Sequence, residues 1–440
     1  MASVSLRRTQ SSGNRQKWTY SAWIKRTGIG VLGSLIGSSS TNDDNGYGQI
    51  RFQADDTLNY TAWTGEWFTT NRKFRDPNAW YHVVVRVDTT QGNVSHRIRL
   101  YINGIEETSF SSSMNPSSGQ NLSLNVNNYY VYLGAESYSS GTSRFFDGVI
   151  SHIHFLDGED RTPDYFGETD STTGEWKIKT NVTGVNYGTN GFFILKDSGS
   201  VTDQSGNGNN FTVAGGTLTD TLDCSDNVFA TMNALDNGWF DGTFSNGNNT
   251  VVTNASKENY FTSTLGASSG KYYWEVKISA SGSNKDFIGI ADKVSNNNDF
   301  TPYSGNNKMR SYYGSTGVSV IGSTGTAFGA TFGAGDIIGV AMDLDNHKIY
   351  YSKNGVFQGS GNPSTGANGL DIDTSPASGF YYAQGANIHN TSSTYQTNFG
   401  NGYFGTTAVS SAGTNASGIG IFEYDVPTGY TALSTKGLNL

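Results

Sequence analysis

Cys224 is the single cysteine of this sequence, so no intrachain disulfide can form and a disulfide-stapled secreted module is excluded. Metal sites built on paired cysteines are excluded with it. Charged residues are scarce, at 15% against roughly 25% in an ordinary globular protein. The formal net charge is -9 and no basic tract interleaves with aromatics, so the footprint of a nucleic-acid partner is missing. No apolar run approaches the roughly 20 residues of a membrane-spanning helix, and membrane insertion is not expected. The opening Met1-Ala-Ser-Val-Ser-Leu-Arg-Arg8 lacks the apolar core of a secretion signal. If the protein works outside a cell, release by lysis is the expected route. Heptad repeats are absent, so nothing supports trimerisation through a coiled coil.

Glycine, by contrast, is plentiful at 56 residues, while proline stands at 7. Glycine, serine, threonine and asparagine fill the spaces between short apolar runs. A chain of strands and tight turns has this composition, because turns need Gly and Asn for backbone reasons. Disorder would give a similar polar bias, but 24 Phe, 25 Tyr and 8 Trp argue against it. Alternation carries the assignment. Trp80-Tyr-His-Val-Val-Val-Arg-Val-Asp88 and Ile98-Arg-Leu-Tyr-Ile102 have the two-residue period of half-buried strands. The second runs into Asn103-Gly104, a dipeptide suited to the positive φ of a tight hairpin. The same grammar returns in Ile338 to Asp345, Lys348 to Lys353 and Asn354-Gly355.

The sequence therefore predicts an all-β protein of two antiparallel, jelly-roll-like β-sandwich domains with a packed connector. The first covers residues 1–165, the connector 166–235, the second 236–405, and a C-terminal strand or tail 406–440. Within the first, Trp18, Tyr20 and Ala22 share one strand face, Ser38 to Gly48 reads as a polar loop, and Val149, Ser151, Ile153 and Phe155 alternate against Ile150, His152, His154 and Leu156. In the connector, Phe192 to Leu195 reads as one short strand. In the tail, Gly420 to Tyr430 reads as a strand returning to a sheet edge, where Pro427 is tolerated.

Ser21-Ala-Trp-Ile24, Trp80-Tyr-His-Val83, Leu100-Tyr-Ile-Asn-Gly104 and Phe146-Asp-Gly-Val-Ile150 resemble the laminin-G-like branch of the concanavalin A-like lectin/glucanase superfamily. Tyr272-Tyr-Trp-Glu-Val276, Phe287-Ile-Gly-Ile290 and the stretch from Ile338 to Gly355 resemble a SPRY domain. The combination, with Ser5-Leu-Arg-Arg-Thr9 and Gly13-Asn-Arg15 leading into Trp18, is similar to structural proteins of tailed bacteriophages. That resemblance implies a non-enzymatic virion-surface protein of the tail, fibre or capsid. It would contact other virion proteins and the host surface, through glycans or protein, as a homo-oligomer. Its place would be the virion surface, after synthesis in the host cytoplasm. The alternatives are a capsid or tail decoration protein without ligand, and a polysaccharide depolymerase.

The enzymatic alternative needs chemistry that the sequence does not display. Glucanases of the superfamily carry a Glu-x-Asp-x-x-Glu pattern, and two carboxylates must flank the bond about 5–9 Å apart. No such pattern occurs, and no catalytic residue is assigned. Asp343 with Asp345, and Asp371 with Asp373, are the nearest pairs, and both read as turn residues. His152 and His154 stand at strand spacing without an evident third metal ligand. Calcium fits better, since the laminin-G-like resemblance implies a loop-rim ion. Asp203, Ser205 and Asn207 offer it oxygens at alternate positions, although Ala214 stands where a bidentate glutamate would close the loop. Thr41 to Asn45 and Asp157 to Asp160 are further acidic loops. For a ligand, Tyr60, Trp63 and Trp67 form a candidate aromatic platform, because exposed aromatics stack on sugar rings. In the second domain, the loops 296–299 and 306–311 are the expected binding region.

Overall fold

The computed structural model describes all residues except 1–3, 139–140, 172–173, 197–198, 237–241, 256–257, 293–307, 323, 389–390 and 440. The side chains of 137, 138 and 141 are likewise not described. Two compact units divide the chain, one of Met1–Asp220 with Cys224–Asp226 and one of Thr221–Asp223 with Asn227–Leu440. The expected connector is thus shared out. Its larger part completes the first unit and its end belongs to the second. Helix is confined, among the described residues, to three 3-10 turns of three residues each.

The first unit is a sandwich of two antiparallel sheets. One has eight strands, in the spatial order Phe110–Ser113, Glu66–Lys73, Thr57–Thr61, Tyr47–Phe52, Gly33–Ser39, Tyr130–Leu133, Ser5–Thr9 and Thr212–Gly215. The other has six, in the order Phe192–Ile194, Gly148–Asp157, Lys17–Arg26, Trp80–Asp88, Ile98–Ile102 and Ile105–Glu107. The predicted parity of Lys17–Arg26 is observed: Trp18, Tyr20, Ala22 and Ile24 enter the core with Val83, Val85 and Val87. Asn103 and Gly104 take φ of 50° and 80°, the doubly left-handed turn that matches strand twist.

Two expectations fail here for physical reasons. The polar stretch from Ser38 to Gly48 is not one loop, because its ends belong to the strands Gly33–Ser39 and Tyr47–Phe52, which pair with each other. The alternation through Gly148–Asp157 breaks at His152, which sits at φ 47° where the register shifts between Ser151 and His154. A bulge inserts one extra residue and exchanges the faces beyond it. Ile150 and Ile153, which the sequence pattern places on opposite faces, both pack on the core.

The second unit repeats the plan. Its larger sheet runs Thr243–Ser245, Thr250–Val252, Ser393–Asn398, Lys271–Ser281, Ile337–Asp343, Lys348–Lys353 and Val356–Phe357, with Leu370–Asp371 and Thr431–Ala432 added beside it. The smaller runs Asn259–Ala267, Tyr381–Asn387, Asp286–Ala291, Arg310–Tyr313, Val318–Ile321 and Thr324–Ala327. Asn354 and Gly355 repeat the hairpin turn, at φ 48° and 82°.

The C-terminal segment departs from expectation. The strand is Thr431–Ala432, which pairs in parallel with Tyr272 and Tyr273, and Pro427 lies in the turn before it, accepting a hydrogen bond from the Tyr430 N–H at 3.0 Å. Residues 423 and 424 are instead held by one side chain. The fully buried Glu275 carboxylate accepts the backbone N–H of Glu423 at 2.9 Å and of Tyr424 at 2.8 Å. Tyr273 and Asn398 donate to it as well.

Burial pushes the Glu275 carboxyl up to about 7, against the pull of these donors. A carboxyl that holds its proton more tightly folded than unfolded adds stability at low pH and loses it as pH rises. The window runs from the ordinary 4.5 to about 7. Wild type should therefore lose stability relative to Glu275→Gln between pH 5 and 8, by up to roughly 3 kcal/mol. Denaturant titrations of both proteins across that range check this, and parallel pH profiles would refute it.

Candidate functional site

The outward face of the eight-stranded sheet carries tyrosine, amide and guanidinium side chains. Pleating turns Ile50 and Phe52 into the core and Tyr47, Gln49 and Arg51 outward. Gln49 lies opposite Thr61 on one side and Gly37 on the other, Gly37 opposite Tyr132, and Tyr132 opposite Arg7. One row therefore crosses five strands. The Gln49 amide lies flat across Gly37: a Cβ there would fall 1.8 Å from Gln49 Oε1 and push the amide aside.

A second row holds the aromatics. Trp63 is 49% exposed and Tyr130 is 43% exposed, while Tyr47 and Tyr132 beside them are buried. The Trp63 and Tyr47 rings meet edge-on at 5.8 Å, as do those of Tyr130 and Tyr132. Each open ring is thus braced by a buried one. Tyr47 is fixed in turn, donating its hydroxyl to Glu136, a buried carboxylate that also receives Arg51 at 2.7 Å and Arg144 at 2.7 Å. The turn bearing Trp63 is pinned by Asp44, which accepts the Thr64 N–H at 2.7 Å. The Arg7 guanidinium stands 4.9 Å over the Tyr130 ring, and no carboxylate among the described residues pairs with it. Chemically, the open rings of Trp63 and Tyr130 and the exposed Arg7 guanidinium are the groups such a face presents to a ligand, whereas the Gln49 amide is buried, accepting from Ser34 Oγ and donating to the Ser38 carbonyl.

Of the residues expected to form an aromatic platform, the structure leaves one. Tyr60 and Trp67 lie in the core, 6.4 Å apart between ring centres and buried. Tyr60 faces inward because it lies opposite Ile50 and Phe68, which leaves Asn59 and Thr61 to point outward. Only Trp63, in the turn beyond the strand, reaches solvent. The sequence gives no binding role to Tyr47, Gln49, Tyr130 or Tyr132, and it places Arg7 only in the basic N-terminal segment Ser5-Leu-Arg-Arg-Thr9. The alternation in Tyr130-Val-Tyr-Leu133 was the available signal for two of them.

The calcium loop is corrected too. Asp203 Oδ1 accepts the N–H of Phe193 and of Ser205, both at 2.9 Å. Its Oδ2 accepts Ser205 Oγ at 2.8 Å and the Asn209 N–H at 2.9 Å. Four donors occupy the roughly four lone-pair positions of a carboxylate. Asn207 turns its amide to the Gly188 and Gly191 carbonyls. Asp203, Ser205 and Asn207 thus close a turn and leave no free oxygen cage. The acidic loop at Thr41 to Asn45 does the same, with Asp43 accepting from Asn45 and Gly46. No group of three or more His, Cys, Asp or Glu able to hold a metal occurs among the described residues.

The remaining candidates have structural partners. Trp176 donates its indole N–H to His82 Nδ1 at 2.9 Å, so the ring proton sits on Nε2, 2.8 Å from Ser21 Oγ. Burial lowers His82 to about 3. The neutral ring donates to Ser21 and is in the wrong tautomer to act as its base. His154 stacks on Phe193 at 3.9 Å and pairs with the Tyr187 hydroxyl, and the bulge separates it from His152. Asp343 accepts Lys271 and two bonds from Asn346, while Asp345 accepts the Gly270 N–H. Asp371 pairs with Lys348, and Asp373 with Lys308. In the second unit, residues 296–299 and 306–307 lie outside the described residues, as does His389.

Residues 2–164 match the family model of the concanavalin A-like lectin/glucanases superfamily, and residues 271–370 match that of the SPRY domain. The chain carries a concanavalin A-like domain and a SPRY domain. Ran-binding protein 9 of Mus musculus is 35% identical over 96 residues, which is 21% of this chain and 14% of that protein. The chain thus spans only a small part of that relative. Among solved structures, the SPRY domain of human HERC1 is 17% identical, covering 34% of this chain and 86% of that one, with a TM-score of 0.28. A putative carbohydrate binding protein from Bacteroides ovatus is 16% identical, covering 49% and 60%, with a TM-score of 0.33.

The revised placements predict opposite outcomes for two tryptophans of the concanavalin A-like domain. Trp67→Ala should cost about 3–5 kcal/mol of stability, and Trp63→Ala no more than about 0.5 kcal/mol. Chemical denaturation measures both, and a comparable loss for the two would place Trp63 in the core. Calcium titrated after chelation should release no heat at millimolar concentration.

Proposed function

We propose that the protein is a non-enzymatic component of a bacteriophage virion surface that contacts the host through glycans. The observation that carries the glycan reading is the two braced aromatic pairs on one sheet face, Trp63 on Tyr47 and Tyr130 on Tyr132, with the exposed Arg7 guanidinium over Tyr130. Rigid aromatic and amide groups recognise sugars without a catalytic step. The concanavalin A-like match is consistent with this, because lectins belong to that superfamily. The virion placement rests on the resemblance of the N-terminal segment and the domain combination to tailed-phage structural proteins. Loops and turns on stiff sheets suit such a role, since they vary without disturbing the scaffold.

Purified protein should bind oligosaccharides from host envelope material on a glycan array, and Trp63→Ala should weaken that binding about tenfold while the fold is kept. Release of reducing sugar from the same material would establish a depolymerase instead. Gold-labelled antibody should mark tail or fibre tips of candidate virions. Label spread evenly over the head would favour decoration of the capsid.

A further inference from the structure

Unpaired sheet edges invite pairing with another chain, and proteins usually blunt them by shortness, charge, bulges or a covering segment. Nearly every edge of the four large sheets is treated in this way. Phe110–Ser113 and Thr212–Gly215 carry register shifts. Ile105–Glu107 carries two glutamates, and Phe192–Ile194, Thr243–Ser245 and Val356–Phe357 have three residues or fewer. Asn259–Ala267 is long but covered, because Asn233 donates to the Thr262 carbonyl and Thr264 to that of Thr231, both at 2.8 Å.

Thr324–Ala327 has none of these devices. Its four residues pair regularly with Val318–Ile321, from Ile321 opposite Thr324 to Val318 opposite Ala327. All four are exposed, and among the described residues no further strand lies beyond them. The surrounding sequence, residues 311–335, contains neither a charged residue nor a proline.

We infer that this edge of the SPRY unit pairs antiparallel with the same strand of a second copy, joining two six-stranded sheets across a two-fold axis. An isologous contact of this kind places a strand against itself, so it must not repel itself. In a chain of net charge -9, this uncharged stretch meets that condition. The side chains also favour a second copy over a foreign strand. Strand addition takes its affinity from the main chain and its selectivity from pockets for alternate side chains. Thr, Gly, Thr and Ala offer no such pockets, but they let the backbones approach closely, with Thr326 opposite its own copy at the two-fold axis.

The test is the mass of the full chain in solution by light scattering. Wild type should show twice the monomer mass of 47.3 kDa at tens of micromolar. Thr326→Lys and Thr326→Glu should each raise the dimer dissociation constant at least about tenfold, since like charges then face each other across the axis. A mixture of the two variants should recover a heterodimer, which a merely unfolded variant cannot do. Unchanged circular dichroism and melting temperature confirm that each variant folds. A monomeric wild type would overturn the inference, as would a dimer that survives both substitutions or a mixture that stays monomeric.

Discussion

Buried carboxylates hold this chain together where disulfides cannot. Asp157 accepts the Asn14 N–H at 2.7 Å and the Asn190 N–H at 3.0 Å, tying two distant loops to one strand end. Asp56 collects Arg26, Arg75 and the Gly30 N–H. Asp203 closes its own turn, and Asp286 receives Tyr395, Asn387 and Ser281. A charged acceptor makes stronger hydrogen bonds than a neutral one, and removing a partner inside the fold leaves a costly orphan. Scarce charge and dense turns are thus two sides of one design. Several of the acids are spent inside, on loops that proline and cystine would otherwise stiffen.

This design explains what the sequence revealed and what it hid. Local backbone rules were legible: both Asn-Gly hairpins, the alternation in Lys17–Arg26 and Trp80–Asp88, and hence two sandwiches. Pairing register was not. Tyr60, Trp63 and Trp67 are close in sequence, but the strand turns Tyr60 inward and the turn frees only Trp63. A single extra residue at His152 exchanged the faces of the following strand. Nor does a sequence say whether an Asp-x-Ser-x-Asn run spends its oxygens on an ion or on its own backbone. At Asp203 four N–H and O–H donors decided in favour of the backbone.

The location of the candidate face follows from what covers the other sheet faces in each unit. In the concanavalin A-like unit, Trp176 lies over His82, and Phe166 packs with Val84, Tyr101 and Leu156, so Tyr165, Phe166, Trp176, Val182, Val185 and Tyr187 close the outer side of the six-stranded sheet. In the SPRY unit, Phe422 packs edge-on to Tyr273 at 5.2 Å and Glu275 holds the next two residues, which closes the outer side of the larger sheet. The outer side of its smaller sheet is a second apolar cluster around Phe287 and Tyr313, stacked at 4.2 Å. The first two of these faces present apolar side chains to a cover of their own. The eight-stranded sheet differs in kind: its outward rows are amide, hydroxyl, guanidinium and tyrosine, with Trp63 and Tyr130 left open at their ends. Such a face gains little from an apolar cover, because its buried polar groups need hydrogen-bonding partners. Here those partners come from the protein itself, Glu136 for Tyr47 and Arg51 and the Ser34 hydroxyl and Ser38 carbonyl for Gln49, which leaves Trp63, Tyr130 and Arg7 as the open groups of the face.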